Sequence, residues 1–212
     1  MNTADTNPPQ SPAAADAPVP SAPSPTPEET AAVLAATVDW VEKAVIGLNL
    51  CPFARGVVSA GRIRYVVSGA RTTDQLVEAL VHELEFLAEA NPGTLETTLL
   101  IHPWVLGDFL DYNEFLDVAD AAVEELDLTG EVQVASFHPQ YQFAGTEPDD
   151  IDNYTNRSPY PTLHLLRESS IERAVEAYGD TDRIFETNIE TLRRLGREGW
   201  EKLGLATPAK PS

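Results

Sequence analysis

The sequence predicts an α/β protein of one domain: a small, largely parallel sheet of about four strands with helices on both faces, preceded by a disordered Pro/Ala-rich tail. Three observations predict it. Between Arg62 and Phe137, segments of strand and helix periodicity follow one another as strand, helix, strand, helix, strand, the pattern of right-handed crossovers onto a parallel sheet. The 212 residues, less the tail, suffice for one hydrophobic core. Residues 1–27 hold eight of the 17 prolines and six alanines but no Lys, Arg, Phe, Trp or Tyr, so they bury too little apolar surface to offset the entropy of ordering. The domain is expected over 28–205, with 206–212 as a loose C-terminal end.

The first helix starts where Thr26 can cap, Pro27 takes the first helical position and Glu29 sits three residues after the cap. Leu34, Val38, Val41, Val45 and Leu48 then recur at helical spacing, which predicts one apolar stripe as far as Gly47. After the Gly61 breaker, Arg62 to Val67 is read as a strand. Thr72 to Gln75 has capping spacing, and Leu76, Leu80, Leu84 and Leu87 make the second helix, stopped at Asn91-Pro92-Gly93. Thr98 to Ile101 is the next strand, apolar enough for a central position. The third helix runs from Phe109 to Leu126, with Phe109, Tyr112, Phe115, Leu116, Ala119 and Val123 inward, and Val132 to Phe137 is the third strand. The fourth, Thr162 to Leu166, follows a loop rather than a helix, so an antiparallel edge is open to it. Two helices, Ser170 to Ala177 and Asp182 to Leu203, close the chain, the second offering Ile189, Leu192, Leu195 and Trp200 for packing.

Composition excludes several classes of function. With 34 acids against 14 bases the net charge is −20, and a polyanion would be repelled, so neither nucleic acid nor an anionic membrane is an expected partner. Cys51 is the single cysteine, which rules out an intrachain disulfide and agrees with the cytoplasm. There is no apolar run of 18 residues and no basic, hydrophobic N-terminal leader, so a soluble cytoplasmic protein is expected. Nothing in the sequence speaks for a particular oligomeric state.

Chemistry-bearing residues gather at the predicted strand ends, where ligands of open α/β sheets bind. Two strands end in His-Pro, at His102 and His138; the following proline holds each histidine extended. The plain alternative is that both are bonded to backbone. Cys51 precedes Pro52, and if that proline opens a helical turn, the helix-end amides and Arg55 would favour the thiolate; the plain alternative is a small buried hydrophobe. Cys51, His102 and His138 are the catalytic candidates, acting as nucleophile, acid and base, or alternatively as ligands of a single transition metal. No cofactor is otherwise indicated. Asp111 or Asn113 is a candidate to orient one histidine; His82 and His164 read as structural.

The segment from His138 to Pro161 is long, aromatic and polar, and loops of that length are uncommon unless functional or disordered. Asn153, Tyr154, Asn156, Arg157 and Ser158, with Arg55 nearby, are the substrate-binding candidates, Arg157 being suited to a carboxylate or phosphate. The alternative is a loop bonded to itself by Asx turns. Asp149, Asp150 and Asp152 lack the glycine and glutamate of a calcium loop.

The segments Trp40 to Phe53, Leu99 to Pro103, Phe109 to Asn113, Ser136 to Pro139, Tyr141 to Gly145 and Asn153 to Pro161 together resemble the bacterial domain-of-unknown-function 1415 family over about Val38 to Leu203. The resemblance implies a bacterial, cytoplasmic protein and supplies no activity. Two functions follow from the residues: an enzyme acting on a small anionic molecule at a Cys/His/Arg site beside the 138–161 loop, or a non-catalytic module binding a metabolite or protein. A scaffold presenting Tyr141, Phe143 and Tyr160 is a third.

Overall fold

The computed structural model describes residues 24–178 and 181–205. The tail expected over 1–27 falls mostly outside them, as does the expected end at 206–212. Chain order is α1 (Pro27–Trp40), a π-helical stretch (Val41–Ile46), α2 (Ala54–Ser59), β1 (Ile63–Val67), α3 (Thr73–Glu89), β2 (Thr97–Ile101), α4 (Phe109–Glu125), β3 (Val132–Phe137), a 3-10 turn (Ile151–Thr155), β4 (Thr162–Arg167), α5 (Glu168–Tyr178) and α6 (Thr181–Glu201). None of the described helices is long and apolar enough to cross a membrane.

The helix starts follow the caps. Thr26 accepts from the Glu29 amide while Glu29 reaches back to the Thr26 amide, a complete capping box. Thr72 accepts from the Gln75 amide, and Asp108 from the amides of Leu110 and Asp111. The α3 leucines at 76, 80, 84 and 87 are fully buried, as the spacing requires.

The α1 stripe lies one step from its expected place. Val33, Thr37, Trp40, Val41 and Ala44 are buried, while Leu34 is exposed. Two causes are visible. Thr37 can enter the core because its hydroxyl donates to the Val33 carbonyl at 3.0 Å, and beyond Trp40 the switch to π geometry changes the angle per residue, so Ala44 rather than Val45 is buried.

The sheet has order β1-β2-β4-β3. β1 and β2 are parallel, whereas β4 is antiparallel to both β2 and β3. The sheet is therefore mixed rather than largely parallel, and the fourth strand sits inside it rather than at an edge. The physical reason is the connection: a loop without a crossover helix returns β4 antiparallel beside β3, and β4, with Leu163 and Leu165 fully buried, then fills the central place.

Both faces are covered. On one, α3 and α4 pack over Leu100, Val132, Leu163 and Leu165. On the other, α1 and the π stretch set Val33, Trp40, Val41 and Ala44 against Leu99 and Ile101. Strand alternation decides which side chains each layer receives. At Gly196, φ is 65° and ψ 174°, which kinks α6; an L side chain would be strained there.

Candidate functional site

β2 and β3 point the same way, so His102 and His138 end on the same side, facing α4 with Tyr112 between them. The Tyr112 ring centroid is 5.7 Å from that of His102 and 5.0 Å from that of His138. The structure thus brings the two histidines together, and both are fully buried.

Their hydrogen bonds say what they do there. His102 Nδ1 donates to the Val105 carbonyl at 3.1 Å and His138 Nε2 to the Leu106 carbonyl at 3.2 Å. The Gln140 amide donates to His138 Nδ1 at 3.0 Å, which fixes that ring as the neutral Nε2–H tautomer. The two histidines therefore grip consecutive carbonyls of one loop. That loop carries Leu106 at φ 56°, a left-handed conformation costly for a bulky residue. Burial lowers each imidazole pKa to about 4, so neither is poised for proton transfer near neutral pH. His102 Nε2 is buried and has no hydrogen-bond partner among the described residues. Asp111 and Asn113 are exposed, away from both rings.

The 138–161 loop is bonded to itself. Asn153 is fully buried; its Oδ1 accepts from the Phe143 amide at 3.0 Å and the Thr146 hydroxyl at 2.7 Å, and its Nδ2 donates to the Glu147 carbonyl at 2.8 Å. Arg157 donates to the carbonyls of Tyr141 and Pro148 and lies 4.3 Å over the Tyr154 ring. Asn156 donates to the Ser136 carbonyl and Ser158 to the Tyr160 carbonyl. Tyr154 packs edge-on against Trp200. Asp152 and Asp149 pair with Arg193 and Arg197 of α6. The polar groups expected to hold a substrate are occupied in holding the loop. Asn153→Ala should cost about 2–3 kcal/mol, because the fully buried Asn153 amide makes three hydrogen bonds that are lost together; the check is the thermal midpoint together with limited proteolysis inside 139–160, which should accelerate.

Cys51 lies elsewhere. It lines a cavity with Trp40 and Phe137 on the α1 side of the sheet, away from the α4 side that holds His102 and His138. The N-cap of α2 is Phe53, not Cys51, and burial pushes the thiol pKa up, with the Phe53 and Ala54 amides offsetting only part of the effect. Burial thus favours the protonated thiol over the expected thiolate. Arg55 is exposed and donates to the Ile46 carbonyl at 3.5 Å. Among the described residues no three His, Cys, Asp or Glu side chains stand close enough to hold a metal.

The cavity itself is the feature that motif reading missed. It is a pocket of about 330 Å³, partly open to solvent, between the sheet and the helical layer, at the lower end of volumes that bind small molecules. Its floor is Thr97, Leu99, Ala135, Phe137 and His164; Trp40, Val41 and Val45 of the π-helical region, Cys51, and Val57 and Val58 of α2 form the wall. Insertion of a π turn is common where helices shape functional sites. At the rim, Glu96 pairs with Arg62 at 2.6 Å. His164, read as structural from the sequence, stands opposite Leu99 and Ala135 in the register. The available signal was one imidazole in an otherwise apolar strand, Thr162 to Leu166.

A family model described as "Protein of unknown function (DUF1415)" matches residues 32–202. Neither a curated protein nor a solved structure matches the chain.

Proposed function

The chain belongs to the DUF1415 family, and since that membership carries no activity, we propose from the site alone that the protein is a non-catalytic module binding a small apolar metabolite. The observation that carries this reading is the cavity of about 330 Å³ with an almost wholly apolar lining, built on buried Trp40, Val41 and Leu99. A ligand seated there would take apolar wall out of contact with water. The reading as an enzyme on a small anion beside the 138–161 loop has less support, because Arg157 is bound to two carbonyls and stacked on Tyr154. A bacterial cytoplasmic setting fits a metabolite binder of this kind.

The test uses N-phenyl-1-naphthylamine, an uncharged probe whose fluorescence rises in apolar surroundings. One molecule per chain should bind. Ala135→Phe, which places a ring into the void from β3, should weaken binding by at least about tenfold while circular dichroism stays native. Equal binding by both proteins would sink the proposal.

A further inference from the structure

The two hydrogen bonds of Thr97 restrict what the cavity can hold. Its Oγ1 lies 2.6 Å from the Leu165 carbonyl oxygen, which can only accept, so the hydroxyl proton points there. The same Oγ1 lies 2.6 Å from His164 Nε2, and with its one proton committed it can only accept from that nitrogen. His164 is thereby fixed as the Nε2–H tautomer, and Nδ1 carries a lone pair. Among the described residues Nδ1 has no hydrogen-bond partner, yet it is not among the buried polar atoms left without one. His164 is partly exposed and lines the cavity, so the cavity is where that lone pair is reached.

The other polar groups around the cavity are engaged or peripheral. Glu96 is paired with Arg62, Ser170 accepts from Arg173, and Gln133 is exposed at the rim. Burial keeps His164 neutral, with its pKa lowered to about 4, so the ring offers an acceptor and no positive charge. An anion brought to it would meet a lone pair while losing its own hydration.

Resting on the reading of the cavity as a binding site, we infer that its occupant is an uncharged apolar molecule with one hydrogen-bond donor, a hydroxyl or an N–H, received by Nδ1 of His164. Thr97 acts as a positioning residue: it touches no ligand but sets which ring nitrogen faces it.

Calorimetric titration with 2-naphthol, 2-methoxynaphthalene and 2-naphthoate at neutral pH tests this. The naphthol should bind about tenfold more tightly than its ether, the size of one buried hydrogen bond, and the carboxylate should bind more weakly than the ether. In His164→Leu the naphthol and ether should become equal. If naphthol and ether bind the wild-type protein equally, or the carboxylate binds as tightly as the naphthol, the donor assignment is overturned while the cavity reading stands. If none of the three binds, the cavity reading falls and the inference with it. Because His164→Leu could lose the fold, nitrogen-15 NMR of the wild-type imidazoles provides a second measurement. An Nε2–H signal for His164, protected by Thr97 and replaced by a tautomer mixture in Thr97→Val, supports the lock; an Nδ1–H tautomer in the wild type overturns it.

Discussion

The domain should lose stability steeply as pH falls from 6.5 towards 4. His102, His138 and His164 each have an imidazole whose folded pKa burial lowers to about 4, against roughly 6.5 in an unfolded chain. Between those values the unfolded state binds more protons, so acid favours unfolding; above about pH 6.5 both states are neutral there and the effect vanishes. Each histidine then costs about 2 kcal/mol at pH 5 and about 3 kcal/mol at pH 4 relative to neutral pH. Three together approach the whole stability of an ordinary domain. Relief of the −20 charge works the other way, but carboxylates are protonated mainly below about pH 5. Thermal midpoints at fixed ionic strength should decline progressively below pH 6.5, with cooperative unfolding at room temperature near pH 5. Constant midpoints between pH 7.5 and 5 would contradict the assignment of three neutral rings.

Arg167→Met is expected to be the most damaging single replacement outside the apolar core, at about 3 kcal/mol, or roughly 6–12 °C in the thermal midpoint. Arg167 is 8% exposed, and its guanidinium donates to the carbonyls of Leu87, Ala90 and Leu95. Those oxygens belong to the end of α3 and the turn after it, where α3 has no basic residue of its own in the last turn. A strand side chain thus supplies the cap that helix C-termini ordinarily take from Gly or from local Lys and Arg. Methionine keeps the volume but leaves three acceptors in a site closed to water. Lysine should recover less than half of the loss, since one ammonium cannot span three carbonyls. Full recovery by lysine would mean that charge, and not the fork of donors, is what α3 needs.

Much of the fold could be read from the sequence because local signals agreed with it. The α3 leucines, the capping residues and the alternation of strand and helix each carry their geometry within a few residues. Strand direction does not: periodicity in Thr162–Arg167 is the same whichever way the strand runs, and its central antiparallel place depends on a 24-residue loop. The meeting of His102 and His138 was legible from two His-Pro strand ends. Their role was not, because it depends on the carbonyls of Val105 and Leu106 lying within reach. The loop residues were singled out for polarity that Asn153 and Arg157 spend on their own backbone. Cavity residues run from Trp40 to Ile171, so no short window of sequence contains the site.

The strand order also orders events in time. β3 pairs only with β4, and β4 is made last. A chain emerging from the ribosome can assemble β1, α3 and β2 early, since they are consecutive and parallel, but β3 has no neighbour until Thr162–Arg167 appears. During that interval the open edge of β2 is available to another nascent chain. When Thr162–Arg167 then pairs with β2 and β3, that one strand closes the sheet, completes the cavity floor with His164 and sets Arg167 on the end of α3.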